Sequence, residues 1–173
     1  STAFIAEEYG ASFAGVALAG EVLDTLLAAA VLVHLRDEAR ANKATGRAAD
    51  HASRPGERWS VSLGGEARTV TATDKPGGVD VEAGGKRIAL RSDWRAGERL
   101  LRGTIGGRAN RRDVTVLVER QGEGWRLRHG GAEVTAVVRR ARAAERAALT
   151  LAKAAPAQSG RAAGREGGWI AVV

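Results

Sequence analysis

Between residues 22 and 35 the chain reads VLDTLLAAAVLVHL, and this stretch narrows the fold more than any other. At 3.6 residues per turn, Val22 through Leu35 put apolar side chains on almost every face of a helix, not along one stripe. A helix that is apolar all round has to be enclosed. A bilayer would do this, but 14 residues that include Asp24 and His34 fall short of the roughly 20 needed to cross one. Enclosure by the protein's own chain is the expectation, with no membrane partner. The helix is predicted to start near Gly20, with Glu21 and Asp24 in its first turns. It should end in the charged run RDEARANK, an acid-first, base-last order that suits the helix dipole.

What could enclose it follows in the same chain. From Trp59 the pattern becomes short alternating runs: 59–63, 66–73, 79–83, 86–92, 98–105, 108–118, 125–129 and 132–138. Trp59, Val61 and Leu63 share one face while Ser60 and Ser62 share the other, the period of a strand with one side buried. Gly64-Gly65, Gly84-Gly85, Gly106-Gly107 and Gly130-Gly131 stand where two-residue hairpin turns need positive φ. Eight sequential antiparallel strands remove exposed edges by closing into an up-and-down β-barrel. A barrel of this size is filled by side chains or holds one small ligand. The expectation adopted is a mainly β domain: an eight-stranded antiparallel β-barrel wrapped around a central α-helix, slimmed at Ala28-Ala29-Ala30, with short flanking helices. The same pattern also allows the helix to lie across an open sheet.

The remaining segments are read as appendages. Residues 1–19 form an N-terminal helix and linker, and residues 20–138 the central helix, a loop and the barrel. Residues 139–154 form an Ala/Arg-rich C-terminal helix, and residues 155–173 a low-complexity tail ending in WIAVV. Residues 43–58 lack any period and contain Gly46, Pro55 and Gly56, which break helix and strand alike. Loops of this length are usually functional or disordered.

Composition removes several chemistries. There is no cysteine, so neither a disulfide framework nor a thiolate site exists, and His34, His51 and His129 lack ligand spacing. The segment VEAGGKRI has Asp80 where a phosphate loop needs its first glycine, and Arg87 where it needs Ser or Thr. It reads as a hairpin. Asp80, Glu82 and Glu119 alternate with basic residues and read as solvated strand faces. The net charge of +7 is weighted to the C-terminus, where residues 139–173 carry seven Lys or Arg against two Glu. That favours a solvated basic tail over a nucleic-acid stripe. Two rival functions remain open at this level, a small-ligand barrel and a basic nucleic-acid binder.

Several strings, taken in order, carry a family resemblance: STAFIAEEYGASFAGVAL, GERWSVSLGGEARTV, LRSDW and LRHGGAEVTAVVRRARAAERAAL. Over about residues 1–149 the chain resembles the BT domain of propionyl-CoA carboxylase α subunits, which mediates between biotin carboxylase and carboxyltransferase. The resemblance implies a helix within an eight-stranded barrel and no catalysis in this region. It implies docking on the carboxyltransferase β subunit and on the biotin carboxylase and biotin carrier domains of the same α subunit. It also implies a cytoplasmic location, and biotin and ATP as cofactors of the complete enzyme but none in this region. The loop between helix and first strand would be the main hook onto the β subunit, carried here by Arg47, Asp50, His51, Arg54 and Pro55. The ATP-grasp region and the M-K-M carrier that would flank such a domain are not in this sequence, and GREGGWIAVV stands where an M-P-G turn is expected. The expectation is either a piece of a longer chain or a tail that has diverged.

Overall fold

The computed structural model describes residues 18, 20–45, 56–107 and 109–143. Helix α1 (Gly20–Ala44) is followed by β1 (Glu57–Leu63), β2 (Glu66–Lys75), β3 (Gly78–Ala83), β4 (Lys86–Arg91), β5 (Leu100–Ile105), β6 (Arg112–Gln121), β7 (Gly124–His129) and β8 (Ala132–Arg140). Each strand pairs antiparallel with the next, and β1 pairs with β8, closing the barrel. The predicted N-terminal helix, most of the C-terminal helix and the tail lie outside the described residues.

The helix occupies the barrel axis, which decides between the two arrangements the pattern allowed. Leu26 and every residue from Ala28 to Val33 have no exposed surface, so no face of this stretch meets solvent. Inward-facing residues of all eight strands complete the core, among them Trp59, Val70, Val81, Leu90, Leu101, Val116, Leu127 and Ala136. Each fully buried Val or Leu stabilises by roughly 1.5–3 kcal/mol relative to exposure. The helix is therefore held by contact on all sides. Ala28-Ala29-Ala30 allow an eight-stranded wall to close around it, because a longer side chain there would meet the strands. No room is left along the axis for the hollow lumen a small-ligand barrel requires.

Three of the expected Gly-Gly turns form as expected. Both glycines have positive φ in Gly64-Gly65 (59° and 95°), Gly84-Gly85 (56° and 78°) and Gly130-Gly131 (57° and 80°). The fourth does not. Gly106 has φ 107°, Gly107 does not have positive φ, and a primed turn needs it at both central residues. Strand β5 ends at Ile105 and β6 begins only at Arg112, not at 108. The Asn110 side chain accepts the Gly107 amide at 2.9 Å and shapes this wider loop.

The barrel wall is uneven. Every other pair of neighbouring strands shares five to seven residue pairs, whereas β4 and β5 share only Leu90↔Ile105 and Arg91↔Thr104. Residues 92–99 cover this seam instead of extending the strands, so β4 stops at Arg91 and β5 starts at Leu100. The Ser92 hydroxyl donates to the Arg102 carbonyl at 2.6 Å and accepts the Trp94 amide at 3.2 Å. Trp94 is folded inward, donates its indole N–H to the Glu98 carbonyl at 3.0 Å, and meets Trp125 edge to face at 6.5 Å. The seam also explains Gly103: a Cβ there would lie 2.2 Å from the Arg91 carbonyl oxygen. At the far end, β8 runs to Arg140, two residues beyond the expected limit, and the chain turns helical at Ala141.

Candidate docking surface

Helix α1 enters the barrel at the end that carries the Gly-Gly turns. There Lys86 pairs with Asp24 and Arg112 with Glu21, tying the first helical turns to β4 and β6. It leaves at the opposite end, where β8 finishes and β1 begins. The buried apolar run stops at Leu35 and the next three residues are Arg36, Asp37 and Glu38. Successive helical residues point about 100° apart, so these three reach different parts of the rim.

Each finds a partner there. Arg36 donates to both carboxylate oxygens of Asp74 (2.9 and 3.0 Å) and to the carbonyls of Lys75 and Gly78 (3.3 Å each). Asp37 accepts from Arg120 of β6 at 2.7 Å, and that guanidinium lies 4.6 Å from the centre of the Trp125 ring. Glu38 accepts from Arg140 of β8 at 3.4 Å. Arg140 also pairs with Glu57 at 3.1 Å and stands 5.5 Å from the centre of the Trp59 ring. Partly exposed ion pairs stabilise by only about 0–1 kcal/mol each. Their importance here is angular, because three pairs to separate strands fix the rotation and depth of the helix end.

Inside this collar sits His34, edge to face with Trp59 at 5.2 Å and 72°. Burial disfavours the charged imidazole, Glu38 and Asp37 oppose that effect, and Arg140 and Arg120 add to it. The net result holds His34 below the ordinary histidine range. The expected loop is rooted at the same rim. Thr45 closes the helix, its amide and hydroxyl both donating to the Ala41 carbonyl at 3.1 Å. Gly56 opens β1 with its amide on the Thr73 hydroxyl at 3.3 Å. The helix and β1 claim Lys43, Ala44, Glu57 and Arg58, so the loop is shorter than 43–58. Arg47, Asp50, His51, Arg54 and Pro55 lie outside the described residues.

Elsewhere the surface corrects one reading. Asp80 faces outward, yet is only 8% exposed, because Arg87 (2.8 Å) and Arg91 (2.6 Å) close over it from β4. Asp80 lies opposite Ala89, so both arginines sit on the diagonal, within reach of long side chains. Burial alone would raise the carboxyl's pKa, but hydrogen bonds from Arg87 and Arg91 outweigh it and hold the group below the usual range. This is a cross-strand brace, not a solvated face. The VEAGGKRI segment is the β3–β4 hairpin, with Lys86 engaged by Asp24. An open cleft of about 740 Å³ on the outer wall is lined by Leu100, Thr115, Leu117, Arg128, His129 and Glu133. His129 there is hydrogen-bonded to the Thr115 carbonyl at 2.9 Å. No group of three or more potential metal ligands occurs among the described residues, and no described helix is long and apolar enough to cross a membrane.

With this geometry described, the comparisons with known proteins place the chain in a family. The sequence profile of a family described as the propionyl-coenzyme A carboxylase BT domain matches residues 26–153. A propionyl-CoA carboxylase alpha chain of Ruegeria pomeroyi (strain ATCC 700808 / DSM 15171 / DSS-3) is 35% identical over 157 residues, which cover 90% of this chain and 22% of the relative. The chain thus spans about a fifth of the length of the curated relative it matches. By that profile and that relative, the chain belongs to the propionyl-coenzyme A carboxylase BT domain family.

Proposed function

We propose that this domain is a non-catalytic connector within a biotin-dependent acyl-CoA carboxylase of the cytoplasm, holding the biotin carboxylase-bearing α chain on a carboxyltransferase β subunit. The observation that carries the reading is the plugged barrel with its collar. The interior is occupied, and the helix end that leads into residues 46–55 is fixed by three separate strand contacts. A rigid body can set the distance and orientation of two partners. That spacing matters in a carboxylase whose tethered carrier must reach two active sites, because effective concentration depends on how well linker reach matches span.

In this reading residues 46–55 form the hook. Arg47 and Arg54 would pair with partner carboxylates, Asp50 and His51 would add polar contacts, and Pro55 would stiffen the return to β1. Biotin and ATP would belong to other regions of the complete α chain. The stretch reminiscent of a phosphate loop is the β3–β4 hairpin, and its lysine is held by Asp24.

The test replaces residues 46–55 in the full α chain by a Gly/Ser segment of equal length. Assembly with the β subunit is then followed by sedimentation velocity. Loss of the complex with an unchanged far-UV spectrum and melting temperature is expected. A variant that assembled as well as the unaltered chain would remove the hook assignment.

A further inference from the structure

The exit rim contains one titratable group placed where an added positive charge disturbs its neighbours. His34 lies on α1 just inside the collar, against Trp59 of β1. Trp59 is 1% exposed, and its indole N–H finds no hydrogen-bond acceptor among the described residues. The charged groups that bear on His34 come from three elements: Asp37 and Glu38 from α1 itself, Arg120 from β6 and Arg140 from β8. From β1, Glu57 reaches the cluster through Arg140. Both helix carboxylates are already engaged, Asp37 by Arg120 and Glu38 by Arg140. A protonated imidazole would compete with those two arginines for the same carboxylates. It would also bring positive charge beside Arg140, which packs on the Trp59 ring. The contacts that fix the helix end therefore suit a neutral His34.

We propose that His34 is the pH-sensitive element of the collar: protonation weakens the grip of Arg120 and Arg140 on Asp37 and Glu38 and loosens the root of the 46–55 segment. The direction of the effect follows from linkage. With the rim closed, burial holds the imidazole below its ordinary value of 6.5, whereas an opened rim lets it titrate normally. Closure is therefore fully favoured above about pH 6.5 and becomes less so as the pH falls through that value. For uptake of one proton the change is bounded at about tenfold per pH unit. The device goes beyond the docking reading and stands without it, since it concerns the helix end alone.

Amide hydrogen exchange on the 173-residue chain without any partner provides the test, with protection corrected for intrinsic exchange between pH 7.5 and 5.5. The expected result is a several-fold loss of protection at residues 36–45, with β6 and β7 unchanged, and a flat profile in His34→Gln. An equal loss in His34→Gln, or none in the unaltered chain, overturns the proposal. A second measurement needs no variant: the His34 ring, followed by NMR, is expected to titrate below 6.5. A midpoint at or above that value overturns the proposal as well.

Discussion

The enclosed helix gives a sharp prediction at Ala28, Ala29 and Ala30, each of which has no exposed surface. Replacing each singly with Leu adds three carbon atoms where strands already touch the helix. Insertion of extra carbons into a packed core costs about 1–3 kcal/mol. For a chain of this length that lowers the melting temperature by about 2–12 °C, at about 2–4 °C per kcal/mol. Helix propensity does not confuse the result, since Ala and Leu rank close together at the top of the scale. The three positions sample directions about 100° apart. If the helix lay across a sheet with one side in water, at least one of the three would face solvent, and Leu there would change stability by less than about 0.5 kcal/mol. Urea unfolding followed by far-UV circular dichroism, with thermal melts alongside, reads all three variants. Destabilisation at every position is expected. One position that accepts Leu without cost would refute the enclosure.

Two further predictions concern the wall. Gly103→Ala puts a Cβ 2.2 Å from the Arg91 carbonyl and is expected to destabilise by about 2 kcal/mol or more, through strain at the thin β4–β5 seam. Gly107→Ala, whose nearest neighbour would be 3.5 Å away, is expected to stay within about 0.5 kcal/mol in the same urea titration. Asp80→Asn removes the charge that Arg87 and Arg91 close over, and is expected to cost about 1–2 kcal/mol at neutral pH, less than a fully buried pair because the arginines are partly exposed. Its pH dependence has a definite sign. The folded carboxyl titrates below its unfolded value, so the contribution is complete above about pH 4 and is lost as the pH falls from there through the folded value. Asp80→Asn should therefore flatten the acid limb of the stability curve, and an unchanged limb would count against the brace.

What could be read from the residue order, and what could not, divides along physical lines. The helix was visible because its signals are local: apolar residues on every face, acids at the start and charged residues where burial stops. The strands were visible through alternation, as at Trp59, Val61 and Leu63, and three hairpins through paired glycines. Gly106-Gly107 misled because the letters are the same while only one of the two glycines adopts positive φ. Strand lengths at the seam were overestimated because Ser92 and Trp94 fold over the gap, a choice made by tertiary contacts. The partners within the collar were not legible. Arg36 meets Asp74, Asp37 meets Arg120 and Glu38 meets Arg140 only once the barrel has closed. The three consecutive charges at the end of the apolar run were its one sequence signal. Asp80 was misjudged for a related reason, since alternation shows that it points outward but not that two arginines lie diagonally across from it. The expected hook residues Arg47 to Pro55 fall outside the described residues, so they rest on the family resemblance.

Chain order gives the plugged barrel a consequence for biosynthesis. The rod of residues 25–33 leaves the ribosome before any strand that will shelter it, and the sleeve is complete only when β8 emerges. About a hundred residues separate the two events, which at 5–20 residues per second leaves a greasy segment unprotected for on the order of 5–20 s. Hydrophobic surface exposed for that long invites aggregation until the last strand zips onto the first. Once shut, the sleeve cannot release its rod without parting strands, and exchange of the helix is then as slow as unfolding of the sheet.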